Sequence, residues 1–433
     1  MKRAVDSFPK ATTVTESYDA FMRLYGMATP GEWLDMDFMS EITNYIALTR
    51  PDRVDLGIRL TVQVNLFLQT VKSYATDPDQ MIRRWGGKPA CFALTEDGAG
   101  ILSGLVVDTK FKEIHGSGNT VSYTLNTDSC KKQWISQGLK ATHGLVFASN
   151  EANHRDCRIF HLNFADHGET IIRTPMVGAD VVEVNRCLDL AQLQLVNVVC
   201  DGSAVLEKTV DASRRQLLEG VLRGRVTISE AVTNSMLGHV RHIKGNVEKQ
   251  EAKFSAIPHL NLIRRWEREL ESYALYLQGQ RNELLETNDI QRINCHKVYV
   301  TETAIAMYAR LAVLFGTKTF GHGLNLQTLA INKVMEGDAT VLRLAIVGEH
   351  FGKGLGTVVR GSGTSWLNLA GVLGAKTLDA TTKHAGGLVE RVGLPRDTDL
   401  TRAYVFTYLD SLSDDIIRAT VRTMDVDVVA GYR

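Results

Sequence analysis

The spacing of apolar residues changes twice along the chain, and this limits the possible folds more than any other feature. From about residue 14 to 87, apolar residues recur three and four positions apart, as they do through Asp55 to Thr76. That spacing predicts helices with one buried face, and Gly86-Gly87 is a stop signal. From about 89 to 207 the pattern becomes short alternating runs between Gly, Asn and Asp, as in the stretches after Thr120, Gly144, Arg158 and Leu193. Alternation with turn residues between runs is the signature of antiparallel strands. Long helical patterns return from about 208, notably after Leu260 and Lys297, and the chain beyond 349 starts glycine-rich and turns helical near 400–424. The order predicts an α+β chain in three parts. These are an N-terminal helical domain over 1–88, a central β-barrel or sandwich domain over 89–207, and a C-terminal helical bundle with an extended tail over 208–433.

Charge and polarity narrow the function classes. Lys and Arg number 49, the same as Asp and Glu, whereas phosphate binding normally leaves a basic excess. Nucleic acid is therefore not the expected partner. The two early basic residues, Lys2 and Arg3, have no apolar stretch behind them, and the longest candidate run, Leu369 to Leu373, is far too short to span a bilayer. A cytoplasmic chain without a membrane segment is expected. The six cysteines are scattered without metal-ligand spacing, so reduced, buried thiols are expected. His239 and His242 stand three apart on a helical pattern without a carboxylate or thiol to complete a metal set. They read as an ordinary polar helix face, and no metal is expected.

Two segments carry chemistry. In 91–100, CFALTEDGAG, a strand runs into a glycine turn, where exposed backbone groups and a Thr hydroxyl meet Gly98 and Gly100, which admit a flat ligand closely. In 331–346, INKVMEGDATVLRLAI, a Glu-Gly pair stands at a helix junction, able to project a carboxylate into a cavity. Each alone is weak.

Together the segments resemble a known family. FALTEDGAG is similar to the FALTEPGAG signature of acyl-CoA dehydrogenases and oxidases. KQWISQGLKATHGLVFA (132–148) resembles their second β-domain signature, KxWITNGxxADxxLVFA. ATDPDQMIRRW (75–85) and DLAQLQLVNVVCDGSAVLE (189–207) resemble the segments that precede and follow. MEGDATV resembles the family's EGTNEIQ, and more closely the oxidase form EGENTV. FGHGLN (320–325) is similar to the GGHGY turn, and GRVTIS (224–229) to an oxidase helix start.

The resemblance implies FAD as cofactor and an acyl-CoA or related thioester as substrate, with oxygen or an electron carrier as acceptor, in a homodimer or homotetramer. It implies that Phe92, Leu94 and Thr95 line the flavin, that Trp134 packs on the ring system, and that Ser136 bonds its N5. Glu336 is implied to be the base that removes the α-proton, with its backbone N–H donating to the thioester carbonyl and Gly337 beside the substrate. Asp338 and Thr340 are implied near the adenosine half, and Gly321 and Gly323 in the cofactor-binding turn.

The match breaks at ligand-holding positions. The polar pair after GAG is replaced by Ile101 and Leu102, leaving Gly100, Ile101 and Ser103 as the candidate substrate contacts. The RxxFG arginine is missing, with Arg241 and Lys244 as substitutes near the pyrophosphate. These departures keep two alternatives open. One is an oxygenase on the same scaffold, acting with O₂ on a CoA-linked or released, cyclic substrate. The other is a non-catalytic scaffold.

Overall fold

The computed structural model describes residues 1–96, 107–116, 120–127, 131–153, 156–176, 188–206, 210–249, 257–287, 289–319 and 321–334, with 342, 343, 346, 413–417 and 420. Helices come first: α1 (Lys2–Ser7), α2 (Val14–Tyr25), α3 (Pro30–Trp33), α4 (Met36–Thr49), α5 (Val54–Leu60), α6 (Gln69–Tyr74) and α7 (Pro78–Trp85). Their starts are chemically marked. Thr13 and Thr29 each form a capping box with the Glu three residues on, and Asp77 accepts from Gln80 N–H ahead of Pro78. α7 stops at Gly86.

The helix predicted through Asp55–Thr76 is interrupted. Between α5 and α6, Thr61–Leu68 is an eight-residue π-helix with every residue buried. The looser winding sends two polar side chains in different directions. Gln63 accepts from Ala90 N–H (2.9 Å) and donates to Lys88 O (2.9 Å), gripping the start of the first strand. Asn65 donates to Thr227 Oγ1 (2.8 Å) on a later helix. Apolar spacing could not announce this, because TVQVNLFL is buried on all sides and shows no stripe. Long π segments are rare and cluster at functional sites.

Nine strands follow among the described residues: β1 (Ala90–Ala93), β2 (Lys110–His115), β3 (Val121–Asn126), β4 (Lys132–Ile135), β5 (His143–Asn150), β6 (Cys157–Asn163), β7 (Ile171–Pro175), β8 (Ala191–Leu195) and β9 (Val198–Asp201). One sheet runs β1-β5-β2-β3-β9 with β6 also on β5, and a second runs β4-β8-β7. The antiparallel expectation holds for most pairs, but β1–β5 and β2–β5 are parallel. Seven of the eight residues of β5 are buried, as suits a strand covered on both faces. The run after Leu193 is two strands rather than one, broken at Asn197, whose φ of 50° turns the chain.

The C-terminal helices are α8 (Val210–Glu248), α9 (Ile257–Glu286), α10 (Ile290–Phe315) and α11 (Leu326–Val334). GRVTIS lies inside α8, not at its start as expected, because α8 already begins at Val210. By length and composition α10 could cross a bilayer, which the lack of a continuous apolar run had not suggested. Its Cys295, Val298, Met307 and Leu311 pack into the bundle core with Trp266 and Leu277 of α9 and Val240 of α8. A buried polar joint ties the N-terminal layer to this bundle. Arg281 of α9 bonds Glu230 of α8 (2.8 Å), and Ser40 of α4 donates to the same carboxylate. Cys91, Cys157, Cys200 and Cys295 are free and buried, as expected.

One histidine departs from expectation. His239 is fully buried and stacked on Tyr308 (5.1 Å), with neither ring nitrogen hydrogen-bonded. It is therefore a core residue, not part of a polar face. His143, buried on β5, and His161, half-buried on β6, form a pair packed against Trp85 and Phe67. His143 Nε2 reaches Lys88 O (3.4 Å), an acceptor only, so Nδ1 accepts from His161 Nε2–H (2.9 Å). Both rings are then neutral, and a proton on His143 Nδ1 would face a donor.

Burial accordingly pushes His143 down to about 4. Burial first, then His143 and Arg84, pushes His161 down to about 3. The unfolded chain takes up these protons near the ordinary imidazole value of 6.5, before the folded chain can. Their stabilisation is therefore complete above about pH 6.5 and lost as pH falls toward the folded values. Urea midpoints measured between about pH 6.5 and 4 should fall steeply, and His161→Leu should flatten that limb by about one proton. An unchanged slope would show that the pair does not titrate this way.

Candidate functional site

The two motif segments meet where β1 ends and β4 begins. Gln133 N–H donates to Thr95 O (2.8 Å), and Glu96 forms an isolated antiparallel bridge with Lys132. Thr95 is exposed, and one residue past its backbone partner stands Trp134, 42% exposed. An exposed hydroxyl residue and a half-exposed indole thus lie one ladder position apart where the two segments meet.

The backbone is bent to put the indole there. Trp134 has φ 57°, a left-handed conformation unfavourable for a bulky side chain, and it lies in a register shift of the β4–β8 ladder. Its N–H is turned off the ladder to Met176 Sδ (3.2 Å). Gln137, two residues past β4, also has positive φ, at 64°. Its side chain donates to Ala90 O (3.1 Å) and its N–H to Leu188 O (3.1 Å), fixing the turn that holds Ser136 half-buried. Strain of this kind persists only where surrounding bonds over-determine it, and it concentrates at ligand sites.

Underneath, one ion pair locks the arrangement. Lys132 Nζ lies 2.5 Å from Glu96 Oε1, both side chains fully buried. The ammonium also donates to Phe147 O (2.6 Å), while Glu96 accepts from Thr109 N–H (3.0 Å), the Thr109 hydroxyl and Asp108 N–H. Burial works to raise the Glu96 carboxyl, but the Lys132 charge and these hydrogen bonds outweigh it and hold it below its ordinary value. The motif letters E and K, which carried only a resemblance in the sequence, are thus the clamp that joins the two segments. A lone Glu and a lone Lys on separate strands give no pairing signal until the fold brings them together.

Phe92 and Leu94 point toward the N-terminal helical layer. Phe92 is half-buried and in ring contact with Phe147 (4.8 Å), whereas Leu94 is 3% exposed and belongs to the core shared with Phe67 and Val71. Leu94 is thus a packing residue here. Gly321 (φ 104°) and Gly323 (φ 89°) turn the chain between α10 and α11. A side chain at Gly323 would strike Asp52, its Cβ only 2.7 Å from that of Asp52, so glycine is needed for packing as well as for the turn. His322 between them packs on His242 (5.2 Å). Arg241 does not stand free for a pyrophosphate. It pairs with Glu267 (3.3 Å) and Glu271 of α9, and Lys244 pairs with Glu267 (2.7 Å), so both cations close the α8–α9 seam. Gly100, Ile101, Ser103, Glu336, Gly337, Asp338 and Thr340 lie outside the described residues. Among the described residues no group of His, Cys, Asp and Glu is arranged to hold a metal ion.

The face at Thr95 and Trp134 fits a flat ligand with one apolar surface and one hydrogen-bonding edge. The half-exposed indole offers the first, and the Thr95 and Ser136 hydroxyls offer the second.

No family model matches the chain, and no curated protein matches it by sequence. Solved structures do. An acyl-CoA dehydrogenase from Bacillus anthracis, complexed with FAD, superposes with a TM-score of 0.64 at 15% identity, over 96% of this chain and 76% of that one. Acyl-CoA oxidase 1 from Yarrowia lipolytica gives 0.62 at 15% identity, over 97% and 72%. A glutaryl-CoA dehydrogenase in complex with glutaryl-CoA gives 0.57 at 16% identity, over 75% and 81%. The helical, β and helical parts in this order, with their shared superposition, identify the chain as having the acyl-CoA dehydrogenase fold.

Proposed function

We propose that this chain is an FAD-dependent oxidoreductase acting on acyl-CoA thioesters, removing the α-proton and the β-hydride of the acyl group. The supporting observation is the strained, half-exposed Trp134 beside exposed Thr95, clamped by the buried Glu96–Lys132 pair. The similar dehydrogenase from Bacillus anthracis is complexed with FAD, and a glutaryl-CoA dehydrogenase of this fold with glutaryl-CoA. Bound FAD would supply the hydride acceptor for the β-carbon.

The chain's own residues do the rest. Trp134 covers one side of the cofactor and excludes water from it, while the Thr95 and Ser136 hydroxyls hold its polar edge. Glu336 removes the α-proton. A carbon acid this weak needs a carboxylate in apolar surroundings and donors on the thioester oxygen, one of which is the Glu336 backbone N–H. The similarity of MEGDATV to the oxidase motif supports assigning Asp338 and Thr340 to the adenosine half and Gly337 to the thioester.

One substitution at Trp134 separates site from scaffold. Trp134→Gly relieves the positive φ, so the apo-protein should be at least as stable to urea as the parent. FAD affinity, titrated by flavin fluorescence, should nevertheless fall about tenfold with loss of the stacked indole. Unchanged affinity would remove the indole from the flavin site and with it the placement of the cofactor.

A further inference from the structure

Near β1 lies a set of buried polar groups that have no hydrogen-bond partner among the described residues. Arg223, on α8, is 12% exposed at its side chain, and its Nε and Nη2 are buried with no hydrogen-bond partner. Among the described residues only its Nη1 meets an anion, Glu219 Oε2 at 3.9 Å, and that carboxylate already accepts a hydrogen bond from the Tyr74 hydroxyl. The Thr70 hydroxyl on α6 is 1% exposed and also lacks a partner. Gly220, one helical turn before Arg223, connects these groups to the site. A Cβ there would stand 3.8 Å from Thr70 Oγ1, 4.0 Å from Phe92 Cζ and 3.6 Å from Leu66 Cδ2. Glycine at 220 thus lets Thr70, Leu66 and the half-buried Phe92 of β1 converge on one point of α8.

The chemistry of the unpartnered atoms is specific. Nε and Nη2 form one edge of the guanidinium, the parallel pair of donors that matches the two oxygens of a carboxylate. A buried cation with two unmet donors is costly, and burial pulls Arg223 below its ordinary value although Glu219 and Tyr74 oppose this. The scaffold would gain by apolar replacement unless a ligand fills the edge.

We propose that Arg223 and Thr70 bind a carboxylate carried by the acyl part of the substrate, so that the preferred thioesters are dicarboxylic half-thioesters rather than plain fatty acyl groups. This rests on the thioester-oxidising function proposed above. A phosphate of CoA has the same anionic oxygens, but burial of the guanidinium one turn from Gly220, which Phe92 approaches, favours the acyl end.

The experiment uses FAD-loaded protein and calorimetric titration with free CoA and with matched straight-chain acyl-CoA thioesters, with and without a terminal carboxylate, at several chain lengths. The carboxylated thioester of best length should bind about 30-fold tighter than its uncharged counterpart. Arg223→Gln should collapse that ratio to near one, Arg223→Lys should retain part of it, and shape-conserving Thr70→Val should lower it about fivefold. Equal binding of charged and uncharged thioesters would overturn the proposal. So would an Arg223→Gln effect as large on free CoA as on the thioesters, which would assign the anion to a CoA phosphate. Thr70→Val and Arg223→Lys carry the test should Arg223→Gln fail to fold. Failure of the underlying function looks different, because the protein would then retain no FAD or no thioester would reduce it.

Discussion

Glu336→Gln is expected to slow thioester-dependent flavin reduction by about 10⁴-fold while leaving FAD binding intact. An amide keeps the shape of the carboxylate and cannot accept the α-proton, so the loss should sit at the upper end of general-base effects. Anaerobic stopped-flow mixing at saturating thioester separates chemistry from binding: the reduction rate should collapse, and the spectral perturbation on binding should persist. A variant that bleached at the parent rate would take Glu336 out of the reaction. The residue is proposed from the similarity of MEGDATV to the oxidase motif, so this test bears on sequence inference directly.

Lys132→Met is expected to be among the most destabilising single substitutions in the β-domain. It leaves Glu96, 4% exposed, as a buried carboxylate without its counter-charge, with an expected cost of about 3–5 kcal/mol. The double variant Glu96→Gln/Lys132→Met should recover most of that loss, since removing both charges also removes the desolvation that each requires. Chemical denaturation of the parent, both singles and the double gives the coupling. If the single substitution cost less than about 1 kcal/mol, the pair would not be the clamp that joins β1 to β4. Flavin affinity should follow the same order, because Thr95 adjoins Glu96, Trp134 lies two residues past Lys132, and Gln133 N–H between them bonds Thr95 O.

The sequence made some of this visible and hid other parts for physical reasons. Helix–strand–helix order was readable because apolar spacing reports burial on one face. The π-helix was not, because a segment buried all round has no face to report. The parallel pairing of β1 with β5 escaped for a similar reason: β5 is buried on both sides, and alternation is what signals an antiparallel strand. At the site, motif letters brought Thr95 and Trp134 together, yet Trp134's positive φ and the Glu96–Lys132 contact depend on register and twist between distant strands. Leu94 looked like a ligand contact from its place in the motif and is a core residue, because in a strand its side chain faces the same way as Phe92, onto the helical layer. Arg241 was chosen for its charge, and charge alone did not reveal two glutamates waiting on α9.

The function proposed for the Thr95–Trp134 face is tested most directly by visible absorption of the protein. Purified chain is incubated with FAD, passed through gel filtration, and its spectrum recorded before and after anaerobic addition of acyl-CoA thioester. Stoichiometric flavin that survives the column and loses its visible bands on adding thioester is the expected result. A colourless protein after reconstitution, or bound flavin that no thioester bleaches, would contradict it.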